Sequence, residues 1–251
     1  MAGKALACVA AALLLSPVLI AADDGGDLTA RQLADQAKDN LLHAKSVHLK
    51  LTDRSTDTRT STTQPTSMDL ALDRHGNCVG SMEMGAHGGS VEIVKQGDEV
   101  WMKPDADFWK AQVPGGQGDA VAELFKNRYI HGSTSDAMLK GMADTCDLTS
   151  FQKEVAGDGN GGNGGTTLTK GAETTVDGAK VIPLKGKEDG KQEVLYVTSD
   201  SPHRLVKATQ HGGGTDLTLT FTDYDKPVPT ATPSADESVD VGKLEQELQN
   251  A

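Results

Sequence analysis

Residues 46–109 read SVHLKLTDRSTDTRTSTTQPTSMDLALDRHGNCVGSMEMGAHGGSVEIVKQGDEVWMKPDADFW. Apolar and polar residues alternate through it. Val47, Leu49 and Leu51 share one face of SVHLKLT, and His48 and Lys50 the other. Met68, Leu70 and Leu72 oppose Asp69, Ala71 and Asp73 in the same way, and CVGSMEM, SVEIVKQ and EVWMKPD keep the period of two. Such alternation marks strands with one buried and one wet face. Arg74–Asn77, Gly85–Gly89 and Gln96–Asp98 supply turn chemistry between the runs. The stretch therefore predicts a five-stranded antiparallel meander. Such sheets twist and tend to curl around whatever covers their apolar face.

Before the meander, Thr29 and Gln32 form a capping box, and Leu28 can staple onto Leu33. Leu33, Ala37, Leu41 and Ala44 then make one narrow apolar stripe of a helix suited to lie across a curved sheet. The polar run from Asp53 to Thr66 is either a long hairpin or a loop. Trp101, Phe108 and Trp109 are expected together as a plug at one end of the core. Helical signals return at Gly118, with Asp119 as the expected cap of Ala120–Lys126 and Ser133 with Asp136 as a second capping box. Val121, Leu124 and Phe125 would share one side. Met138, Leu139 and Met142 follow at helical spacing, then Leu148, Phe151 and Val155. Gly157–Gly165 is a Gly-rich linker. It formally contains G-x-G-x-x-G, but no strand precedes it and no helix follows, so it carries no dinucleotide-binding signal.

A second set of four or five strands runs from Thr166 to Asp223. It includes a Val176-Asp177-Gly178-Ala179 hairpin turn and, in its last strand, Leu217, Leu219 and Phe221 on one face. Pro227, Pro229 and Pro233 end it, and Val241–Leu248 reads as a last short helix. Strand runs and helices that do not alternate one for one predict an α+β fold. The expectation is a half-barrel of about nine or ten antiparallel strands wrapped around short helices. Residues 23–245 form one domain and 246–251 a tail.

The formal charge is −12. A strongly acidic chain is a poor partner for nucleic acid, where affinity comes from Lys and Arg on phosphates, and for an anionic bilayer. Lys4, the apolar run from Ala5 to Ile20 and the small residues Ala21 and Ala22 read as a signal peptide over residues 1–22. The protein is thus expected to be exported, secreted or associated with a cell envelope. Ile20-Ala21-Ala22 matches the first three positions of a lipobox, but Asp23 stands where the acylated Cys would be. Cys8 leaves with the signal peptide. Cys78 and Cys146 then form an even pair in an oxidising compartment and are expected to be disulfide-bonded. No His or Cys lies at metal-ligand spacing from them, so no metal and no cofactor is expected.

Seven His residues (43, 48, 75, 87, 131, 203 and 211) lie scattered in turns and on polar strand faces, and read as solvated. H-E-x-x-H, G-x-S-x-G and a P-loop are absent from the sequence. Asp105 and Asp107 are two carboxylates on one loop, which alone is no catalytic dyad. The chain is not expected to be an enzyme.

The capped N-terminal helix, SVHLKL, SMDLALDRHGNCVGSM, GGSVEIVKQGDEVWMKPDADFW, TVDGAKVIPLKG, EVLYVTSDSPHRLVKAT and LTLTFTDYDKPVPTATP together resemble the actinobacterial envelope lipoproteins of the LppX/LprAFG type. They also resemble the LolA-like and LolB-like lipoprotein carriers that share their fold. The resemblance covers about residues 28–245. It implies an unclosed half-barrel with an apolar cavity between sheet and helices, and non-catalytic binding of a lipid or acylated molecule there. Leu49, Leu51, Leu70, Leu72, Val91, Ile93, Leu217, Leu219 and Phe221 are the residues expected to line it. The alternative is an envelope regulatory or protein-interaction module on the same fold, with a protein partner and no bound lipid. An exported hydrolase ranks third, for want of a nucleophile–base pair. A monomer is expected in either of the first two cases.

Overall fold

The computed structural model describes residues 28–157, 167–188 and 190–242. The expected signal peptide, most of the Gly-rich segment, the final helix beyond residue 242 and the tail lie outside them. Thirteen strands form a single sheet in order β13-β6-β5-β4-β3-β2-β1-β12-β11-β10-β9-β7, with β8 also on β9. The strands are β1 (Ser46–Asp53), β2 (Pro65–Asp73), β3 (Cys78–Met84), β4 (Ser90–Gln96), β5 (Glu99–Pro104), β6 (Tyr129–Ser133) and β7 (Thr169–Lys170). The set continues with β8 (Thr174–Val176), β9 (Ala179–Glu188), β10 (Lys191–Thr198), β11 (Leu205–Gly212), β12 (Thr215–Thr222) and β13 (Ser238–Asp240). The sheet is curled and unclosed, and among the described residues only the β13–β6 pairing is parallel. The expected α+β half-barrel is thus the observed architecture. β1 through β5 are the five runs of the predicted meander, and β1 pairs β12 antiparallel, fusing the two strand sets into one sheet.

The strand count exceeds the nine or ten expected. β6 sits inside a stretch read as helical, and β13 is three residues long, too short to show any period. The polar run after β1 is neither hairpin nor simple loop, because it folds a short helix, Thr56–Thr60.

Among the described residues six α-helices accompany the sheet: α1 (Ala30–His43), α2 (Thr56–Thr60), α3 (Ala106–Gln112), α4 (Gly118–Leu124), α5 (Ala137–Thr145) and α6 (Leu148–Ala156). The capping box of α1 forms as read, with Gln32 N donating to Thr29 Oγ1 at 3.2 Å and Thr29 N donating to Gln32 Oε1 at 2.8 Å. Leu33, Ala37, Leu41 and Ala44 are all buried. α1 packs on α6 and reaches β10 and β11. Phe151 of α6 lies 6.1 Å from Phe221 of β12, centroid to centroid, so these two helices cover the inner face of the sheet. Asp119 does not cap α4. That helix starts at Gly118, Asp119 lies inside its first turn, and Leu124 points outward at 65 % exposure. Asp136 is the N-cap of α5, and its carboxylate accepts from Ser133 N at 2.6 Å.

Cys78 and Cys146 are disulfide-bonded, with Cα atoms 5.6 Å apart and both residues fully buried. The bond ties the start of β3 to the junction of α5 and α6.

Asp105 ties another helix to the sheet. Its Oδ1 accepts from Phe108 N at 2.8 Å, capping α3, and its Oδ2 accepts from Ser90 N at 2.9 Å and Ser90 Oγ at 2.7 Å. Partial burial pushes the carboxyl up, but the bonds from Phe108 and Ser90 outweigh it and hold it below the usual carboxylate range. Its contribution is therefore complete above the unfolded value of about 3.9 and is lost as pH falls through the lower folded value. Asp105→Ala is expected to cost about 1–2 kcal/mol at pH 7. In urea titrations the gap to the wild type should narrow as pH drops below 4, and a gap that stays constant down to pH 2 would show that the ionised carboxylate is not the capping group.

Candidate functional site

Strand register assembles the inner face into continuous rows. Val91, Met82, Met68, Leu51, Leu219, Ala208, Leu195 and Leu184 are successive cross-strand partners from β4 to β9. Next to this row run Ile93, Gly80, Leu70, Leu49 and Phe221, and beyond them the pair Leu72 and Val47. Eight of the nine residues expected to line a cavity lie in these apolar rows, which make up one floor, and the ninth, Leu217, lies at their margin between Asp53 and Gln210. All nine are 0–3 % exposed and share a single core with Leu33, Leu41, Phe151 and Val155 of the helices. Alternation dictates this: Val47, Leu49 and Leu51 of β1, Met68, Leu70 and Leu72 of β2, and Leu217, Leu219 and Phe221 of β12 fall at every second position, so one face of each strand is apolar over that span.

The floor ends in polar residues. In the row that contains Leu217, its neighbours are Asp53 on one side and Gln210, then Glu193, on the other. All three polar side chains are buried. Gln210 Nε2 donates to Glu193 Oε1 at 2.6 Å. Asp53 accepts from Ser55 N at 2.8 Å and from Thr58 Oγ1 at 2.7 Å, so α2 closes that end of the sheet. The sequence reading passed over these residues, yet their phase was visible: Asp53 is in step with Leu49 and Leu51, and Glu193 with Leu195 and Val197.

The expected aromatic plug divides between two faces. Phe108 and Trp109 are in the core, with Trp109 stacked on Phe125 at 5.5 Å. Trp101 is opposite Val94 on the outer face and stacks on His131 at 4.6 Å. Two histidines read as solvated are instead held between carboxylates: His48 by Asp69 and Asp223, and His131 by Glu99 and Asp240. Their side chains are 27 % and 24 % exposed. Among the described residues no cluster of three or more His, Cys, Asp or Glu could hold a metal ion, and no helix is long and apolar enough to cross a membrane.

No protein-family profile and no curated protein matches the chain. Solved structures do. LprF from Mycobacterium bovis is similar over 82 % of this chain and 97 % of its own, at 15 % identity and a TM-score of 0.51. The Mycobacterium tuberculosis lipoprotein LppX aligns over 79 % of this chain and 96 % of its own, at 17 % identity and a TM-score of 0.47. A LolA superfamily protein from Nitrosomonas europaea aligns over 81 % and 96 % respectively, at 12 % identity and a TM-score of 0.25. The chain has an LprF-like fold.

Proposed function

We propose that this protein is an exported, non-catalytic binder or carrier of a lipid or acylated molecule, held between the curled sheet and helices α1 and α6. The observation that carries the reading is the apolar floor, an aliphatic row that crosses eight strands without a polar interruption. Ligand sites are concave and mostly apolar, with few polar groups. The LprF-like fold and the resemblance of the sequence to lipoprotein carriers support the same reading. The polar row at Asp53, Gln210 and Glu193 favours an acyl chain with a polar head over plain hydrocarbon. Leu49, Leu51, Leu70, Leu72, Val91, Ile93, Leu217, Leu219 and Phe221 would contact the chain. They are packed under α1 and α6, so entry requires those helices to move off the sheet. Nothing in this reading needs a cofactor.

Native mass spectrometry of the protein from a secreting host, followed by solvent extraction, tests it. The expected result is a bound species of lipid mass that extraction removes, together with saturable uptake of a fluorescent fatty acid by the extracted protein. A ligand-free mass combined with no uptake would overturn the reading in favour of a protein-interaction module.

A further inference from the structure

Trp109 belongs to α3, and the sequence places α3 at one end of the floor. Asp105 caps the helix and bonds Ser90 at the start of β4. The approach is close: a Cβ on Gly89 would stand 2.0 Å from Phe108 N. At its other end, Gln112 Nε2 donates to Thr62 O at 2.8 Å, which ties α3 to the chain that follows α2. α2 in turn donates to Asp53 through Thr58. Leu51, Met82 and Val91 share one row of the floor, and Asp53, Met84 and Gly89 each lie two residues further out along their strands or the turn beside them. α2 and α3 therefore close the same end of the half-barrel, the end at which the floor turns polar.

The indole of Trp109 is enclosed by aromatic side chains. Phe125 stacks on it at 5.5 Å, and Phe108 meets it edge-on at 5.8 Å. The residue is 6 % exposed, and among the described residues its Nε1–H has no acceptor. An indole nitrogen only donates. Buried donors are nearly always partnered, because one left bare forfeits the bond that water supplies to the unfolded chain. A plug for the core does not need this group, since a phenylalanine ring fills space without that loss. The bare donor is accounted for by an acceptor that arrives with a ligand.

The floor beside β4 is suited to make room for one. Met82 is the cross-strand partner of both Met68 and Val91, and Met84 and Met102 are buried close by in sequence and register. Methionine is unbranched and repacks readily, unlike the Leu and Val of β1. The charges at this end restrict what the acceptor is. Lys110, the next residue, is half exposed and paired with Asp107 at 3.4 Å and Asp119 at 3.6 Å. The rings around the indole are uncharged. A carboxylate buried against them would lack a cation, which is costly, whereas a neutral carbonyl oxygen meets the N–H without that cost.

We propose, resting on the carrier function above, that the Trp109 indole N–H donates to the carbonyl oxygen of an ester or amide in the bound lipid. The ligand then lies with its polar end at α2 and α3 and its chain along the row that starts at Val91.

The test compares methyl palmitate with octadecane, an alkane of the same chain length, by displacement of a fluorescent fatty acid. It uses the full protein and Trp109→Phe, which keeps an aromatic ring against Phe125. The ester is expected to bind the variant about ten-fold more weakly than the wild type, and the alkane to bind both equally within about two-fold. The infrared carbonyl band of the bound ester, isotope-labelled at that carbon, should lie lower in the wild type than in the variant, a change that packing alone does not produce. In the wild type by itself the band should lie below that of the ester in hexane. Trp101→Phe, on the outer face, should bind the ester as the wild type does. Equal losses for ester and alkane, or a wild-type carbonyl band at the hexane position, would overturn the role of Trp109 and leave the carrier function standing. Uptake of neither compound by the wild type would overturn both.

Discussion

Replacing both Cys78 and Cys146 by alanine is expected to lower the free energy of unfolding by about 4 kcal/mol. The bond joins residues 68 apart in sequence, and a loop of that length confines the unfolded chain strongly. Both cysteines are completely buried, so the substitution also leaves small gaps beside Leu72, the cross-strand partner of Cys78. The loss should appear in guanidinium titrations as a lower midpoint. A larger slope is expected too, because the unfolded variant expands further. The local consequence follows from where the bond sits. Cys146 stands between α5 and α6, and α6 places Phe151 on the floor, so on the proposed carrier function the bond anchors one end of a helix that would have to move for a ligand to enter. The variant should therefore release a bound fluorescent fatty acid faster than the wild type. A loss below about 1 kcal/mol would show that the unfolded chain is already restrained by other contacts.

The strands with long alternating runs were legible because their pattern is local. Val47, Leu49 and Leu51 announce a face without reference to the rest of the chain, and the turn residues between runs announce reversal. The α1 cap was legible for the same reason: Thr29 and Gln32 are three residues apart. The disulfide followed from having just two cysteines beyond the expected signal segment. What escaped depends on register or on distance. Val100, Trp101 and Met102 are three apolar residues in a row, so alternation could not say which of them faces out, and only the pairing of Trp101 with Val94 decides it. His48 meets Asp223 across 175 residues, a contact that no spacing rule contains. The floor itself was half legible. Each strand's apolar face could be read, but the joining of the two strand sets through β1 and β12, which makes the floor continuous, could not.

The neighbouring row of the floor passes through one residue without a side chain. Gly80 lies between Leu70 of β2 and Ile93 of β4. A Cβ at this position would stand 1.9 Å from the Asp69 carbonyl oxygen and 3.0 Å from the Leu70 Cα. Both are backbone atoms, so no change of rotamer relieves the overlap, and β2 and β3 would have to separate. Gly80→Ala is expected to destabilise the fold by on the order of 3 kcal/mol, although it adds only one methyl group. Gly141 in α5 is the contrast: a Cβ there meets nothing within 4 Å and the position is helical, so Gly141→Ala should stabilise by about 0.5–1 kcal/mol. Opposite signs from the same chemical change would separate close strand approach from any general intolerance of alanine. Separation of β2 and β3 would also break the row from Ile93 to Phe221. The Gly80→Ala protein should then bind a fluorescent fatty acid more weakly even under conditions where it remains folded, whereas Gly141→Ala should bind as the wild type does. A Gly80→Ala protein with unchanged stability would mean that the two strands can part at this point without cost. Unchanged stability with weakened acyl binding would place the floor's contribution in ligand contact rather than in the fold.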